Sequence, residues 1–175
     1  ALKNKEKICI YGDYDVDGVS STALLMTVFT KLGFNIDYYL PDRHSEGYGL
    51  HIESLQKLIP KYDLLITVDC GITALDEVDY AKDKIDMIIT DHHLPREILP
   101  DAFAIINPTQ TQCIYPNKNL CGVGVAFNLC QGLYQSLNKD IHELENYLDI
   151  VALGTIADIV PLVDENPVSY THLRA

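Results

Sequence analysis

Three aspartates recur at a spacing of two in the segment that follows the first apolar run of the sequence. Asp13, Asp15 and Asp17 lie in YGDYDVDG, directly after Lys7–Tyr11. In an extended segment, residues two apart point to the same side, so the three carboxylates would be neighbours. Like charges this close repel each other unless a cation neutralises them. The spacing therefore favours a metal site over the alternative, a polar turn in which Asp17 or Ser20 caps the next helix.

Further acids and two histidines follow other apolar runs. Asp69 comes after LLITV, and Asp91 comes after MIIT and directly precedes His92 and His93. If these runs are parallel strands, their carboxyl ends meet at one sheet edge, where open α/β sheets bind ligands. Asp158 lies in the apolar segment ALGTIADIVPL, where it either forms a local cap or ion pair or completes the cluster; the other acids favour the cluster. Carboxylates mixed with imidazole favour Mn²⁺ or Mg²⁺ over zinc.

The elements that must position these residues alternate between strand and helix patterns. Strands are predicted at Lys7–Tyr11, Ile36–Leu40, Leu64–Val68, Met87–Thr90 and Ala104–Ile106. Helices are predicted at Val19–Leu32, Ile52–Ile59, Ala74–Lys82, Val123–Leu137 and Ile141–Ile156. Because the strands are continuous apolar runs, we expect helices on both faces of the sheet. The pattern predicts an α/β fold, a parallel β-sheet flanked by helices, with a helical C-terminal part.

The composition is that of an ordinary globular domain. With 175 residues, 47% of them hydrophobic, the chain can bury a core without disulfides or metals. We expect no membrane association and no secretory signal, because no apolar run approaches about 20 residues and ALKNKEKICI has no long apolar region. Five cysteines without C-x-x-C spacing indicate reduced thiols and a cytoplasmic protein. The net charge of −12 argues against a surface that holds nucleic acid by phosphate neutralisation alone.

The motifs YGDYDVDG, VDCG, TDHH and GTIAD, in this order, resemble the four signature motifs of the DHH phosphoesterase superfamily. PDRHSEGYGL and LCGVGVAFNL are similar to its RecJ-type, single-strand-specific exonuclease branch. The resemblance covers roughly Ile8–Asp164, so we interpret residues 1–165 as a DHH catalytic domain. Asn166–Ala175 (NPVSYTHLRA) does not follow the pattern and is interpreted as a truncation or a foreign tail. The resemblance implies a centre of two Mn²⁺ or Mg²⁺ ions and hydrolysis of single-stranded DNA from its 5′ end.

The resemblance also implies roles for individual residues. Its metal-binding positions match Asp15, Asp17, Asp69, His92 and Asp158, with Asp13 either a ligand or a neighbour of one. Asp69 would bridge both ions, His93 would face the phosphate, and Asp91 would orient His92 by accepting its other ring N–H. These three, Asp69, His93 and Asp91, are the expected catalytic residues. Tyr11 stands where related phosphatases carry a histidine, which favours the nuclease branch.

Two other segments are candidates for binding the substrate phosphate. Arg43 and His44 lie in PDRHSEGYG, after the second strand and at the same sheet edge, and arginine is suited to bidentate phosphate contacts. The alternative for both is an ordinary solvated loop. Gly122 and Gly124, in CGVGVA, open a helix whose backbone N–H groups could approach a phosphate. Close helix packing explains these glycines nearly as well.

Two other functions stay open at this point. One is a DHH phosphatase that acts on short oligonucleotides or cyclic nucleotides; the other is a non-catalytic DHH replication scaffold, disfavoured because every motif acid is present. Exonucleases of the RecJ type continue into a second domain that we do not find here, so we expect this chain to bind single-stranded DNA weakly. A single-strand-binding protein or a helicase would be a partner of the full-length protein.

Overall fold

Five parallel strands form one sheet in the structure, a computed structural model that describes residues 1–166. The strands are β1 Lys7–Tyr11, β2 Asn35–Tyr39, β3 Leu64–Val68, β4 Asp86–Thr90 and β5 Ala104–Ile106. Their order in the sheet is β2-β1-β3-β4-β5, and every neighbouring pair is parallel. The predicted α/β class is confirmed, and each predicted strand lies within one residue of an observed one.

Five α-helices that lie wholly within the described residues 1–166 connect and follow the strands. They are α1 Val16–Lys31, α2 Ile52–Leu58, α3 Leu75–Ala81, α4 Gly122–Ser136 and α5 Leu148–Ala157. The helix predicted for Ile141–Ile156 is wrong in its first half, because Ile141–Tyr147 forms a 3₁₀ segment that precedes α5. No helix within residues 1–166 is long and apolar enough to cross a membrane.

Apolar cores cover both faces of the sheet, as the continuous apolar strands predict. On one face, Ile10 of β1 and Ile66 of β3 belong to a core that includes buried residues of α1, α4 and α5. On the other face, Cys9 of β1 and Leu65 of β3 belong to a core that includes α2 and α3. Cys70 directly follows Asp69, so its side chain is expected to point away from the sheet edge and into the core, and it is buried in this second core. Alternate residues of each strand therefore anchor opposite helical layers.

The strand order determines where a ligand can bind. From β1 the chain crosses to β2 on one side, whereas β3 lies on the other side of β1 and leads on to β4 and β5. The carboxyl ends of β1 and β3 are therefore a topological switch point, where a crevice opens above an α/β sheet. Val68 at the end of β3 pairs with Thr90 at the end of β4, so β4 delivers its following residues to the same place.

The end of the chain lies partly outside the described residues. Asn166, which sequence analysis assigns to the tail, is buried, and its side-chain amide donates to the carbonyls of Asn119 and Pro161 at 2.9 and 2.8 Å. The remainder of the predicted tail, residues 167–175, is not among the described residues.

Candidate metal centre

The segment between β1 and α1 brings two carboxylates to the carboxyl edge of the sheet. Asp13 is buried, and its Oδ1 accepts from the Tyr14 N–H at 2.7 Å. Asp15 is the N-cap of α1, and its Oδ1 accepts from the Gly18 N–H at 2.9 Å. The helix is therefore capped by Asp15 and not by Asp17 or Ser20. One carboxylate oxygen from each of Asp13, Asp15 and Asp69 lies within 4.8 Å of the others, as metal ligands do.

A second group of donors lies on the other side of Asp69. Ligand atoms of Asp17, His92 and Asp158 also lie within 4.8 Å of one another. His92 Nε2 is 3.9 Å from Asp17 Oδ2, 3.7 Å from Asp158 Oδ2 and 3.2 Å from Asp69 Oδ1. Asp158 is the C-cap of α5, so the C-terminal helix contributes a carboxylate to an edge otherwise built by strand ends. The structure thus brings together all six residues predicted to bind metal.

Asp69 stands between the two groups in a constrained conformation. It directly follows β3, its N–H donates to the Thr90 carbonyl at 3.0 Å, and its φ is 61°, a left-handed value uncommon for an aspartate. Backbone strain of this kind is concentrated at functional sites, where the surroundings enforce it. The strain here aims a buried carboxylate at His92 and at Asp13 and Asp15.

Two buried atoms at the centre have no hydrogen-bond partner among residues 1–166. They are Asp69 Oδ1 and His92 Nε2, which lie 3.2 Å apart. Buried polar atoms are nearly always satisfied in native proteins, so an orphaned pair indicates an ion or water that belongs there. A mixed set of carboxylate oxygens and one imidazole matches the preference of Mn²⁺ and Mg²⁺. The residues present therefore fit the divalent ions that the sequence predicts.

The electrostatics of the centre also indicate a cation. Burial, and then the nearby charges of Asp17 and Asp15, raise the pKa of Asp69 to about 10. Burial also raises the pKa of Asp17, Asp13 and Asp158 above their ordinary values. Because these carboxylates resist ionisation next to one another, bound cations would relieve a repulsion that the fold itself creates.

Asp91 orients His93 rather than His92, so the predicted role of Asp91 toward the His92 ring is wrong. Asp91 Oδ1 accepts from His93 Nδ1 at 2.8 Å and from the backbone N–H groups of His92 and His93 at 2.7 and 3.0 Å. Its Oδ2 accepts from the Ile72 N–H at 2.9 Å. Burial alone would raise the pKa of Asp91, but these hydrogen bonds outweigh it and leave that pKa below its ordinary value. The hydrogen bond to Asp91 in turn raises the pKa of His93.

The N–H of Gly122 is used inside the protein and not for a phosphate, whereas phosphate binding by Gly124 stays a prediction. The N–H groups of Gly122 and Val123 donate to the carboxylate of Asp17 at 2.5 and 2.9 Å. The first two N–H groups of α4 are therefore satisfied within the protein, where they hold Asp17 in place. A Cβ at Gly124 would contact the side chain of Leu120 at 3.2 Å, which fits the packing alternative.

Three glycines let the backbone approach the carboxylates closely. A Cβ at Gly18 would lie 2.7 Å from Asp13, and one at Gly122 would lie 2.7 Å from Asp69 Oδ1. A Cβ at Gly154 would lie 2.6 Å from Val123 and 2.7 Å from Asp17 Oδ1. The sequence alone did not identify Gly18 or Gly154 as site residues. The available signal was the position of Gly154, which lies four residues before Asp158 and hence on the same face of one helix.

In the loop Pro41–Gly49, Arg43 lies near the metal centre, whereas His44 forms its hydrogen bond within the loop. Arg43 is exposed, and its guanidinium lies 5.4 Å from the ring centroid of Tyr14, the residue between Asp13 and Asp15. His44 is also exposed, and its N–H donates to Asp42 Oδ1 at 3.0 Å. Arg43 thus lies beside the segment that carries the first metal group, whereas the contacts of His44 are within the loop. Phosphate binding by either residue stays a prediction.

Tyr48, from the same loop, is a site residue that sequence reasoning missed. Its hydroxyl donates to the Asp69 carbonyl at 3.3 Å and lies 3.4 Å from His93 Nδ1. The Tyr48 and His93 rings meet edge to face, with centroids 5.9 Å apart. Asn107 and Thr109 further hold His93 by donating from their side chains to its carbonyl, each at 2.9 Å. The two glycines that flank Tyr48 were the only signal in the sequence.

Comparison with known proteins gives consistent relatives. Residues 7–155 match the family model described as "DHH family, N-terminal domain". The single-stranded-DNA-specific exonuclease RecJ of Bacillus subtilis is 48% identical over 168 residues, which cover 95% of this chain and 21% of that protein. Its Escherichia coli counterpart is 43% identical over 178 residues, which cover 95% of this chain and 31% of that protein. This chain therefore spans between a fifth and a third of the length of these curated relatives.

A solved structure agrees with the fold and comes from a protein that binds manganese. The crystal structure of exonuclease RecJ bound to manganese superposes with a TM-score of 0.88 at 35% identity, covering 97% of this chain and 43% of that one. The resemblance noted in the motifs is thus confirmed. Since the family model matches residues 7–155 and all six predicted metal ligands, five aspartates and His92, converge on one crevice, the chain belongs to the DHH family.

Proposed function

We propose that this chain carries the catalytic domain of a 5′→3′ exonuclease that hydrolyses phosphodiester bonds in single-stranded DNA with the help of divalent ions. The observation that carries the proposal is the orphaned pair Asp69 Oδ1 and His92 Nε2, buried between two groups of carboxylates. The named RecJ relatives support the choice of substrate, and the manganese of the solved RecJ structure supports the choice of metal.

Two ions fit two of the three overlapping groups of donors; the third group consists of Asp69, His92 and His93. Asp13, Asp15 and Asp69 would hold one, and Asp17, His92 and Asp158 the other. Asp69 would be shared, because it also faces His92. A pair of divalent ions, when bound, supplies Lewis-acid stabilisation of the charge that develops on phosphate oxygens.

The residues of the chain itself orient the substrate and handle a proton. His93 is partly exposed, with 43% of its side chain accessible, and Asp91 fixes its ring. Because that hydrogen bond raises the pKa of His93, the imidazole is held in its protonated form over a wider pH range. His93 would thus donate a hydrogen bond to the scissile phosphate or a proton to the leaving oxygen. Arg43 would contact a phosphate from the neighbouring loop.

Charge balance bears on how the chain holds DNA. It has 13 lysines and arginines against 25 acids, so long DNA would bind weakly and mainly at low salt. Strong capture would need further basic surface from the full-length protein. In this proposal the enzyme acts in the cytoplasm in DNA repair and recombination, where a single-strand-binding protein or a helicase would present its substrate.

The test compares substrates and a matched pair of variants. With Mn²⁺, we expect release of nucleotides from the 5′ end of a 3′-labelled single strand, and little reaction with duplex DNA. Asp69→Asn should abolish the reaction. Asp83→Asn, the same change at an exposed acid before β4 and hence at the opposite sheet edge, should leave it unchanged. An equal loss of hydrolysis in both variants would refute the assignment of the active site to Asp69. A preference for dinucleotides or cyclic dinucleotides as substrates would indicate a DHH phosphatase instead.

A further inference from the structure

The side chain of Glu46 connects the loop Pro41–Gly49 to the elements on either side of it. The loop joins β2 to α2 and carries both Arg43 and Tyr48 to the metal centre. Glu46 turns inward and leaves only 19% of its side chain exposed, although residues 42–45, directly before it, are exposed. A mostly buried carboxylate in an otherwise solvated loop needs partners, and the structure provides them.

Glu46 accepts hydrogen bonds from three different segments. Its Oε1 accepts from the Tyr39 hydroxyl at the end of β2, at 2.5 Å, and from the Ser54 hydroxyl in α2, at 3.1 Å. Its Oε2 accepts from the Asp42 N–H at 2.9 Å, which closes the loop on itself. Lys57 adds a longer ion pair at 3.5 Å from a largely exposed position. One carboxylate therefore ties the loop to the strand before it and to the helix after it.

The backbone after Glu46 is arranged to present Tyr48. Gly47 and Gly49 have φ values of 81° and 88°, a left-handed conformation that glycine adopts without strain, so the backbone bends around Tyr48. The Gly49 carbonyl accepts from the hydroxyl of Tyr11 at 3.0 Å, which fixes the far end of the turn. Tyr48 is directed from this turn onto the Asp69 carbonyl and the His93 ring.

We infer that Glu46 is a positioning residue for phosphodiester hydrolysis: it holds the loop in the one place from which Tyr48 reaches Asp69 and His93. This inference rests on the proposed function, because it assigns Glu46 a part in the same reaction. Within residues 1–166, Glu46 forms no hydrogen bond with the proposed metal ligands or with His93, so it acts through the loop and the two residues, Arg43 and Tyr48, that the loop presents. Displacements of about 1 Å near reacting groups can reduce rates by about 100-fold, so a released loop should reduce turnover strongly.

The test uses Glu46→Gln, Tyr48→Phe and the double variant. Glutamine keeps the size of Glu46 but offers a single acceptor oxygen, and its NH₂ group opposes one of the donors. We expect Glu46→Gln to lower kcat by at least tenfold, with a smaller change in KM for single-stranded DNA and with the Kd for Mn²⁺ within about twofold of wild type. Because part of the effect of Glu46 passes through Tyr48, the double variant should lose less activity than the product of the two single losses. Lys57→Met, which removes only the exposed partner, should keep wild-type kcat.

A purely structural role for Glu46 makes different predictions. Unchanged kcat in Glu46→Gln, losses that multiply in the double variant, or a fall in kcat that is matched by Lys57→Met would each overturn the inference. A second measurement is independent of activity: trypsin cleavage after Arg43 should be at least tenfold faster in Glu46→Gln at an unchanged Tm. If wild-type protein does not hydrolyse DNA, the proposed function fails, and this cleavage alone decides whether Glu46 holds the loop; an unchanged rate refutes it.

Discussion

Gly122→Ala is expected to damage the metal centre through a single added methyl group. Its Cβ would lie 2.7 Å from both Cβ and Oδ1 of Asp69, whereas ordinary contact begins near 3.4 Å. The carboxylate or the start of α4 must therefore move by about 0.7 Å. Catalytic groups must be held within about 0.5 Å of their working geometry, and a misplacement near 1 Å costs about 100-fold in rate. A 100-fold loss corresponds to about 2.7 kcal/mol of activation free energy.

The same helix offers a matched control. Gly132 also lies in α4, and a Cβ there meets no described atom within 4 Å. Gly132→Ala should stabilise the helix by about 0.5–1 kcal/mol and leave turnover unchanged. Hydrolysis of single-stranded DNA, Mn²⁺ titration by calorimetry and Tm would be measured for both variants. Wild-type turnover and Mn²⁺ affinity in Gly122→Ala would show that Asp69 does not need this close contact, and the reasoning would be refuted.

Three further predictions concern charge at the centre. Chelation of the metal should lower the Tm, because Mn²⁺ at about 100 times its Kd adds roughly 2.7 kcal/mol to the free energy of unfolding. A Tm that does not change when chelator is added would contradict this. Burial raises the pKa of Asp69 to about 10, so the metal-free fold retains a proton that the unfolded chain releases near its ordinary pKa of about 3.9. Stability without metal, measured by urea denaturation, should therefore be lower at pH 9 than at pH 5, and a flat profile would refute this. Asp91→Asn removes the main cause of the raised His93 pKa, so NMR titration should show that pKa lower than in wild type; an unchanged value would contradict the pairing.

The sequence was sufficient to predict the carboxyl edge of the sheet as the site. Asp13, Asp69 and Asp91 each follow a continuous apolar run, and the parallel order of β1, β3 and β4 brings these run ends together. Cys70 could likewise be assigned to the core from its alternation with Asp69. These predictions succeeded because they depend on the direction of the backbone. That direction follows from the apolar composition of the strand segments and from the alternation of side chains along them.

Predictions about hydrogen-bond partners could not be made in the same way. His92 and His93 both follow Asp91. Which of the two rings donates a hydrogen bond to the carboxylate depends on side-chain torsions that the spacing does not specify. The N–H groups of α4 looked free in the sequence, but the packing of α4 against α1 delivers them to Asp17. The contacts between α4 and Asp17 join residues about a hundred positions apart in the sequence, so no local pattern predicts them.

Two further features were missed for related reasons. Tyr48 reaches the site because Glu46 and two left-handed glycines shape its loop, and none of these cues has a regular period. The 3₁₀ segment Ile141–Tyr147 has the composition of a helix, and the choice between helix types depends on local hydrogen bonding.

The central claim is that two divalent ions occupy the crevice between the strand ends and α5, and anomalous diffraction from crystals grown with Mn²⁺ tests it most directly. The account predicts two manganese peaks, one among Asp13, Asp15 and Asp69 and the other among Asp17, His92 and Asp158, with Asp69 in contact with both. A single peak, or manganese bound away from Asp69 and His92, would contradict it.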